Sequence, residues 1–251
     1  MPCDPVAGTL CVMLRVPDLS RRVLEPELMD DPSLDPAEHR RALAGLARLN
    51  WAGASAGTLW KSIGPLVQTP AHAGLTILDI ATGSGDVPLA LARRARKSGL
   101  SLTLSGCDIS ETALAEASRR AKQDGTAFTT FQLDAIQHEI PGEYDVVMCS
   151  LFTHHLEESQ VVDLLYRMKA AARKMVLVND LHRSPSSYRL ATAAANVLGR
   201  SRVVRVDAAK SVRAAFTVPE FEELVERAGL AGATVEATWL SRFLMTWSRD
   251  R

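Results

Sequence analysis

Three carboxylates, Asp79, Asp108 and Asp134, each stand where an apolar run ends, and the first is followed at once by a glycine turn. The run Ile77-Leu78-Asp79-Ile80-Ala81-Thr82-Gly83-Ser84-Gly85-Asp86 reads as strand, carboxylate, Gly-x-Gly turn and helix. Glycines at Gly83 and Gly85 let the backbone bend sharply and approach a ligand with no Cβ in the way. The helix amino terminus beyond them offers free N–H groups and the positive end of a dipole. Asp108 lies 23 residues after Gly85, a position from which an acidic side chain accepts hydrogen bonds from both ribose hydroxyls. Asp134, in Phe131-Gln132-Leu133-Asp134-Ala135, could receive an exocyclic amine at the same rim. Each carboxylate alone could be a cap or a loop residue. Together, at the tips of adjacent strands, they describe a site for a nucleoside with a cationic or zwitterionic tail. Pro88 stands where a dinucleotide fingerprint wants a third small residue, which counts against a nicotinamide-type ligand.

His154 and His155 follow the fourth apolar run directly. Histidine is the side chain best suited to take a proton near neutral pH, so His154 is the candidate general base. The competing reading has both histidines capping the next helix and ordering the ligand loop. His182 and Asp180, past the fifth run, are weaker candidates for proton transfer, and His39, His72 and His138 read as surface residues.

These residues need elements to hold them. Compact apolar runs at Leu75–Ile80, Leu102–Cys107, Ala127–Leu133, Asp145–Leu151 and Met175–Val178 alternate with helical stretches at Asp86–Ser98, Glu111–Gln123 and Glu158–Ala172. Near-continuous apolar strands separated by helices predict a parallel sheet covered on both faces. Ser110 caps the second of these helices and Gly125 ends it. A last helix, Pro219–Ala228, is capped by Thr217 and closed by Gly229. The strands Thr234–Trp239 and Phe243–Thr246 then follow too closely for a crossover helix, so that pair is antiparallel.

Residues 1–70 divide into a loosely structured lead-in to about residue 35, rich in Pro and Asp, and a helical cap. Asp35 caps the helix from Pro36 to Leu49, and a second helix runs from Ser55 to Val67 with Pro65 weakening its last turn. Residues 71–251 form the core, with a lid insertion at 183–213 that contains a helix from Ser186 to Leu198.

Twenty-nine basic side chains balance 29 acidic ones, so no net field draws in a nucleic acid. The basic run Arg200, Arg202 and Arg205 reads as a solvated face. Cys3, Cys11, Cys107 and Cys149 contain no CxxC pair, which argues against zinc and disulfides and fits a reducing cytoplasm. The apolar stretch from Val6 to Leu14 makes a poor signal peptide, and nothing approaches the roughly 20 apolar residues of a membrane span. The expectation is a soluble, cytoplasmic protein acting on a small molecule; a homodimer is compatible with it.

From about Leu75 to Trp247 the chain resembles the class I S-adenosylmethionine-dependent methyltransferases. The resemblance rests on the glycine turn, the two following carboxylates, the terminal hairpin and the segments Ala214-Ala215-Phe216-Thr217 and Ala228-Gly229-Leu230. It implies an α/β, Rossmann-like seven-stranded sheet, parallel with an antiparallel C-terminal hairpin, plus the N-terminal helical cap. It also implies S-adenosyl-L-methionine as cofactor. Asp79 would hold the methionine amino group, and Gly83 and Gly85 would shape the turn beneath the tail. Asp108 would bind the ribose, Ile109 would pack on the adenine, Asp134 and Ala135 would bound its edge, and Ser150 would complete the cofactor-contacting set. His154 is similar in position to the base histidine of plant phenolic O-methyltransferases.

More narrowly, Glu27-Leu28-Met29-Asp30-Asp31-Pro32 and Ser150-Leu151-Phe152-Thr153-His154-His155-Leu156 resemble bacterial methyltransferases that accompany type III polyketide synthases. That resemblance implies secondary metabolism and O-methylation of a phenolic or polyketide-derived compound. Cation-dependent catechol-type enzymes place an aspartate where Ser150-Leu151 stands, and here Asn179-Asp180 is reversed in order, so no metal is expected. The alternatives are C-methylation of a quinone-like ring, a nucleotide-dependent oxidoreductase, and a non-catalytic cofactor-binding relative.

Overall fold

The computed structural model describes residues 16–31, 33–67 and 74–249. Cys3, Cys11, His72 and the apolar stretch at 6–14 lie outside them. Helices α1 (Pro36–Ala52) and α2 (Ser55–Val67) precede the sheet. The core then alternates β1 (Leu75–Ile80), α3 (Asp86–Lys97), β2 (Leu102–Asp108), α4 (Glu111–Asp124), β3 (Phe128–Gln132), β4 (Tyr144–Ser150), α5 (Glu158–Ala171) and β5 (Ala172–Leu181). Helices α6 (Pro185–Ala194), α7 (Arg202–Ala214) and α8 (Val218–Arg227) lead to strands β6 (Thr234–Thr238) and β7 (Arg242–Ser248). No helix among the described residues is long and apolar enough to cross a membrane.

The seven strands lie in the order β3-β2-β1-β4-β5-β7-β6. The first five pair in parallel, and β7 runs antiparallel between β5 and β6. One face is covered by α2 and α3, through Leu59, Ile63 and Leu91 against Ile77, Val146 and Leu177. The other is covered by α5 and α8, through Leu164, Met168 and Phe221 against Val147, Val176 and Val178. The central strands β1, β4 and β5 are largely apolar on both sides because each side meets a helix. On the second face Phe221 touches Phe243 and Phe216, with ring centroids 4.6 and 5.7 Å apart. Such pairs contribute about 0.5–1.5 kcal/mol each beyond their buried area.

Chain direction reverses between β1 and β4: from β1 the chain winds outward through β2 and β3, then returns to β4 on the other side. Ligands of open α/β sheets bind outside the carboxyl ends of the strands at that switch point. The residues just past β1 and β4, Ala81 and Leu151, both carry positive φ, 52° and 55°. Left-handed backbone at non-glycine residues stores strain of order 1–3 kcal/mol, and here it flanks the crevice on both sides.

The core elements match the sequence expectation to within a residue or two, except that β5 extends from Ala172 to Leu181; α2 spans Ser55–Val67 as expected, its last turn intact despite Pro65. Two regions differ more. The lid holds a second helix, α7, that the sequence pattern did not announce, and the expected helix 186–198 is α6 followed by a π turn, Ala195–Gly199. Within the lead-in, residues 16–31 form a strap fastened along α7 rather than a loose segment. Val23 N–H donates to Arg213 O at 3.0 Å, and Arg213 reaches Glu25 at 2.8 Å. Asp207 accepts from the amides of Leu28 and Met29, capping a short 3-10 turn at Leu28–Asp30. Arg22 lies 3.9 Å above the Phe216 ring and donates to the carbonyls of Ala214, His154 and Leu156.

Candidate active site

The residues over the switch point sort by side-chain alternation. In the parallel register Asp79 lies opposite Met148, and Ser150 opposite Asn179. Side chains two residues apart share a face, so Asp79, Ser150 and Asn179 project from the same side at the carboxyl ends of β1, β4 and β5. All three present buried polar atoms without a hydrogen-bond partner: Asp79 Oδ1, Ser150 Oγ and both amide atoms of Asn179. Native proteins rarely leave such groups unsatisfied. The other Asp79 oxygen accepts from the Thr82 hydroxyl at 2.8 Å. Burial pushes the Asp79 carboxyl up to about 8, and the nearby charges of Asp86 and Asp108 add to the rise despite the Thr82 bond.

Asp108, one strand over, points to the same rim. Its Oδ2 accepts from the Gly83 amide at 2.8 Å and its Oδ1 from the Ser110 amide at 2.9 Å. Burial raises this carboxyl too, opposed by those amides and by His39. Gly83 and Gly85 both have positive φ, and a Cβ on Gly85 would sit 3.1 Å from Phe128 and 3.3 Å from Ala117. The glycine turn is therefore fixed from below by α4 and β3. Ile109 leaves 65% of its side chain exposed beside Asp108, an apolar surface a flat ring could cover. Asp134 caps its own turn, accepting from Ile136 and Gln137 at 2.9 and 3.2 Å. That is the cap role weighed above, and it leaves one oxygen outward. Ala135 packs its side chain into the core.

The histidine stands on the other side of the β4 end. His154 is 3% exposed and its Nδ1 lies 2.7 Å from Asp180 Oδ1. Asp180 also accepts from the Thr153 hydroxyl at 2.6 Å and from the amides of His154 and Leu181. Burial alone would raise this carboxyl, but His154 and the hydrogen bonds outweigh it and hold it well below the usual carboxylate range. An ionised carboxylate only accepts, so Nδ1 is the donor in this pair and Nε2 is the nitrogen that faces away from Asp180. His155, its ring centroid 4.3 Å away, bonds Asp30 of the strap at 3.0 Å. Burial would lower His155, yet Asp30 and the charge of Glu27 push it up to about 9.

Sequence reasoning treated Asp180 as a weak candidate in its own right; the structure makes it the partner of His154. It also missed a buried network beneath the cap. Arg242 donates to Ser55 and to Asn50 Oδ1, and Asn50 Nδ2 donates to Asp86 at 2.8 Å. Burial lowers Arg242 to about 10. This network ties α1 and α2 to the first turn of α3, and only an unusual Arg in an otherwise apolar strand hinted at it. His39 is half-buried and feels both Asp108 and Asp30, rather than lying free on the surface. His138 is exposed, as are Arg200, Arg202 and Arg205. Cys107 and Cys149 are free and buried.

Residues 77–175 match the family model of a methyltransferase domain. The ubiquinone biosynthesis O-methyltransferase of Pseudomonas paraeruginosa is 31% identical over 129 residues, covering 50% of this chain and 53% of that protein. The chain thus matches about half the length of its curated relatives. Among solved structures, an O-methyltransferase family 2 protein from Planctomyces limnophilus, crystallised with apigenin, aligns with TM-score 0.62 at 16% identity, over 88% of this chain and 63% of that one. The plantazolicin methyltransferase crystallised with a desmethyl plantazolicin analogue and S-adenosylhomocysteine aligns with TM-score 0.59 at 17% identity, over 84% and 95%. At these identities the structural likeness establishes the fold.

Proposed function

We propose that the chain, whose residues 77–175 match the family model of a methyltransferase domain, is an S-adenosylmethionine-dependent O-methyltransferase acting on a phenolic, polyketide-derived small molecule. The residues at the switch point suit the cofactor. The orphaned oxygen of Asp79 would take the methionine ammonium, and that cation would draw the carboxyl back to its ionised form. Asp108 would bind the ribose hydroxyls, and Ile109 would cover the adenine whose edge Asp134 and Ala135 bound. Gly83 and Gly85 would let the backbone approach the tail, and the Ser150 hydroxyl would gain the partner it lacks. Bound there, S-adenosylmethionine supplies an electrophilic methyl carbon on a positively charged sulfur.

The protein's own work is to hold donor and acceptor close, aligned and dry, and to remove one proton. His154 Nε2 is the group that takes it from the acceptor hydroxyl, with Asp180 holding the tautomer and stabilising the imidazolium that forms. The observation that carries O-methylation is this buried His154–Asp180 pair. The two segments that resemble the polyketide-associated enzymes also meet in space, Asp30 against His155, which supports the narrower acceptor class.

A panel of phenols and resorcinols with labelled methyl donor tests the reading. The expected result is a methyl ether, with His154→Ala slowing turnover by about 10²–10⁴-fold while cofactor affinity stays near wild type. Label on a ring carbon would instead indicate C-methylation, and unchanged turnover in His154→Ala would remove that residue from the mechanism.

A further inference from the structure

Glu27, His154 and His155 come from two segments more than a hundred residues apart, yet one ligating atom from each lies within 4.8 Å of the other two. Glu27 Oε1 stands 3.8 Å from His154 Nε2, and Glu27 Oε2 stands 4.0 Å from His155 Nε2. These separations are too long for hydrogen bonds. A tetrahedral zinc ion with bonds near 2.0–2.2 Å sets its ligands roughly 3.4 Å apart, so atoms that now lie within 4.8 Å of one another need close in by about 1.4 Å at most. The far nitrogen of each histidine is already engaged, Asp180 on His154 Nδ1 at 2.7 Å and Asp30 on His155 Nδ1 at 3.0 Å, and the Ser211 hydroxyl donates to Glu27 Oε1 at 2.6 Å. Carboxylates on the second nitrogen of histidines are the arrangement that orients metal ligands and raises their basicity. Three carboxylates around two imidazoles also leave a surplus of negative charge. The group faces a cavity of about 270 Å³ that Leu24, Pro26 and Ala214 help to line, which leaves room for water or an oxygen ligand in a fourth position.

We propose that Glu27, His154 and His155 form a zinc site that clamps the strap across the acceptor side and takes the proton-accepting nitrogen of His154 out of use. Two imidazoles and one carboxylate select zinc over the hard cations magnesium and calcium. Metal binding stands on the geometry alone; its inhibitory effect rests on His154 serving as the base.

Zinc binding to the full chain, measured at fixed pH by competition with a chromophoric chelator, tests the site, with cobalt(II) absorption reporting the coordination. One ion per chain is expected, uncontested by magnesium or calcium. Asp30→Asn and Ser211→Ala, which alter only the supporting shell, should weaken it about 10–100-fold, and Glu27→Gln and His155→Asn by at least as much. Thermal unfolding without metal verifies that each variant is folded. Stoichiometric zinc should stop methyl transfer in the wild-type protein, and a chelator should restore it. No binding to the wild type, or unweakened binding in both Glu27→Gln and His155→Asn, would leave only an ion-pair cluster and overturn the site. Binding without loss of transfer would overturn the inhibition while leaving the methyltransferase reading intact.

Discussion

Asp108 reaches from the end of β2 to the Gly83 amide, 2.8 Å away, so the carboxylate proposed to bind the ribose also holds the glycine turn in shape. The two duties can be separated. Asp108→Ala should weaken S-adenosylmethionine binding by about 1–3 kcal/mol, since it removes charge-assisted hydrogen bonds in a half-buried place. Asp108→Asn keeps an oxygen for Gly83 and should lose less. Isothermal titration of both variants checks this; equal affinity in all three proteins would detach Asp108 from the site.

Asp79 makes stability and binding depend on pH in a definite sense. Its carboxyl titrates near 8 in the folded chain against 3.8 ordinarily. Between those values the native state keeps a proton that the unfolded state has released. The stability this group contributes is therefore complete below about pH 4 and drains away as pH climbs through 8. Asp79→Asn should flatten that part of the profile in chemical unfolding series. At neutral pH, cofactor binding to the wild type should also release a proton, seen as a binding heat that varies with buffer ionisation enthalpy. The Asn variant should show no such variation.

Asp180→Asn removes the negative charge behind His154 and frees the ring to adopt the wrong tautomer. Turnover should fall by about 10²–10⁴-fold, with cofactor affinity close to wild type. A variant that binds and turns over normally would reduce Asp180 to a loop anchor.

Arg22 fastens the strap by covering Phe216 and donating to three carbonyls. Arg22→Ala should cost about 1–3 kcal/mol, because those buried carbonyls lose a charged donor. Amide exchange should speed up in residues 16–31 and leave β1 and β4 protected. Uniform exchange across the chain would mean that the strap is not a separate cooperative unit.

What the residues disclosed in advance was whatever depends on local rules. The β1–turn–α3 unit could be read because a six-residue apolar run, two glycines and a helix pattern lie next to one another. The antiparallel hairpin followed from spacing too short for a crossover. Helix α7 was hidden because Val203, Val204, Val206 and Val212 are weak helix formers, and burial of Val203, Val204 and Val212 supplies what propensity does not. The strap was hidden for a related reason. Its amides are satisfied by Asp207 and Arg213, far along the chain on α7, and no neighbouring residue advertises such partners. The His154–Asp180 pair fell between the two cases: both residues were noticed, but only the β4–β5 register could show that they touch.

The strap's dependence on α7 also orders events during synthesis. The crevice at β1 and β4 uses residues that have all left the ribosome by about position 181, whereas Glu27 meets Ser211 only after a further stretch of chain. A nascent chain can therefore expose the ends of β1 and β4 well before residues 16–31 have α7 to fasten to, and the strap side matures last.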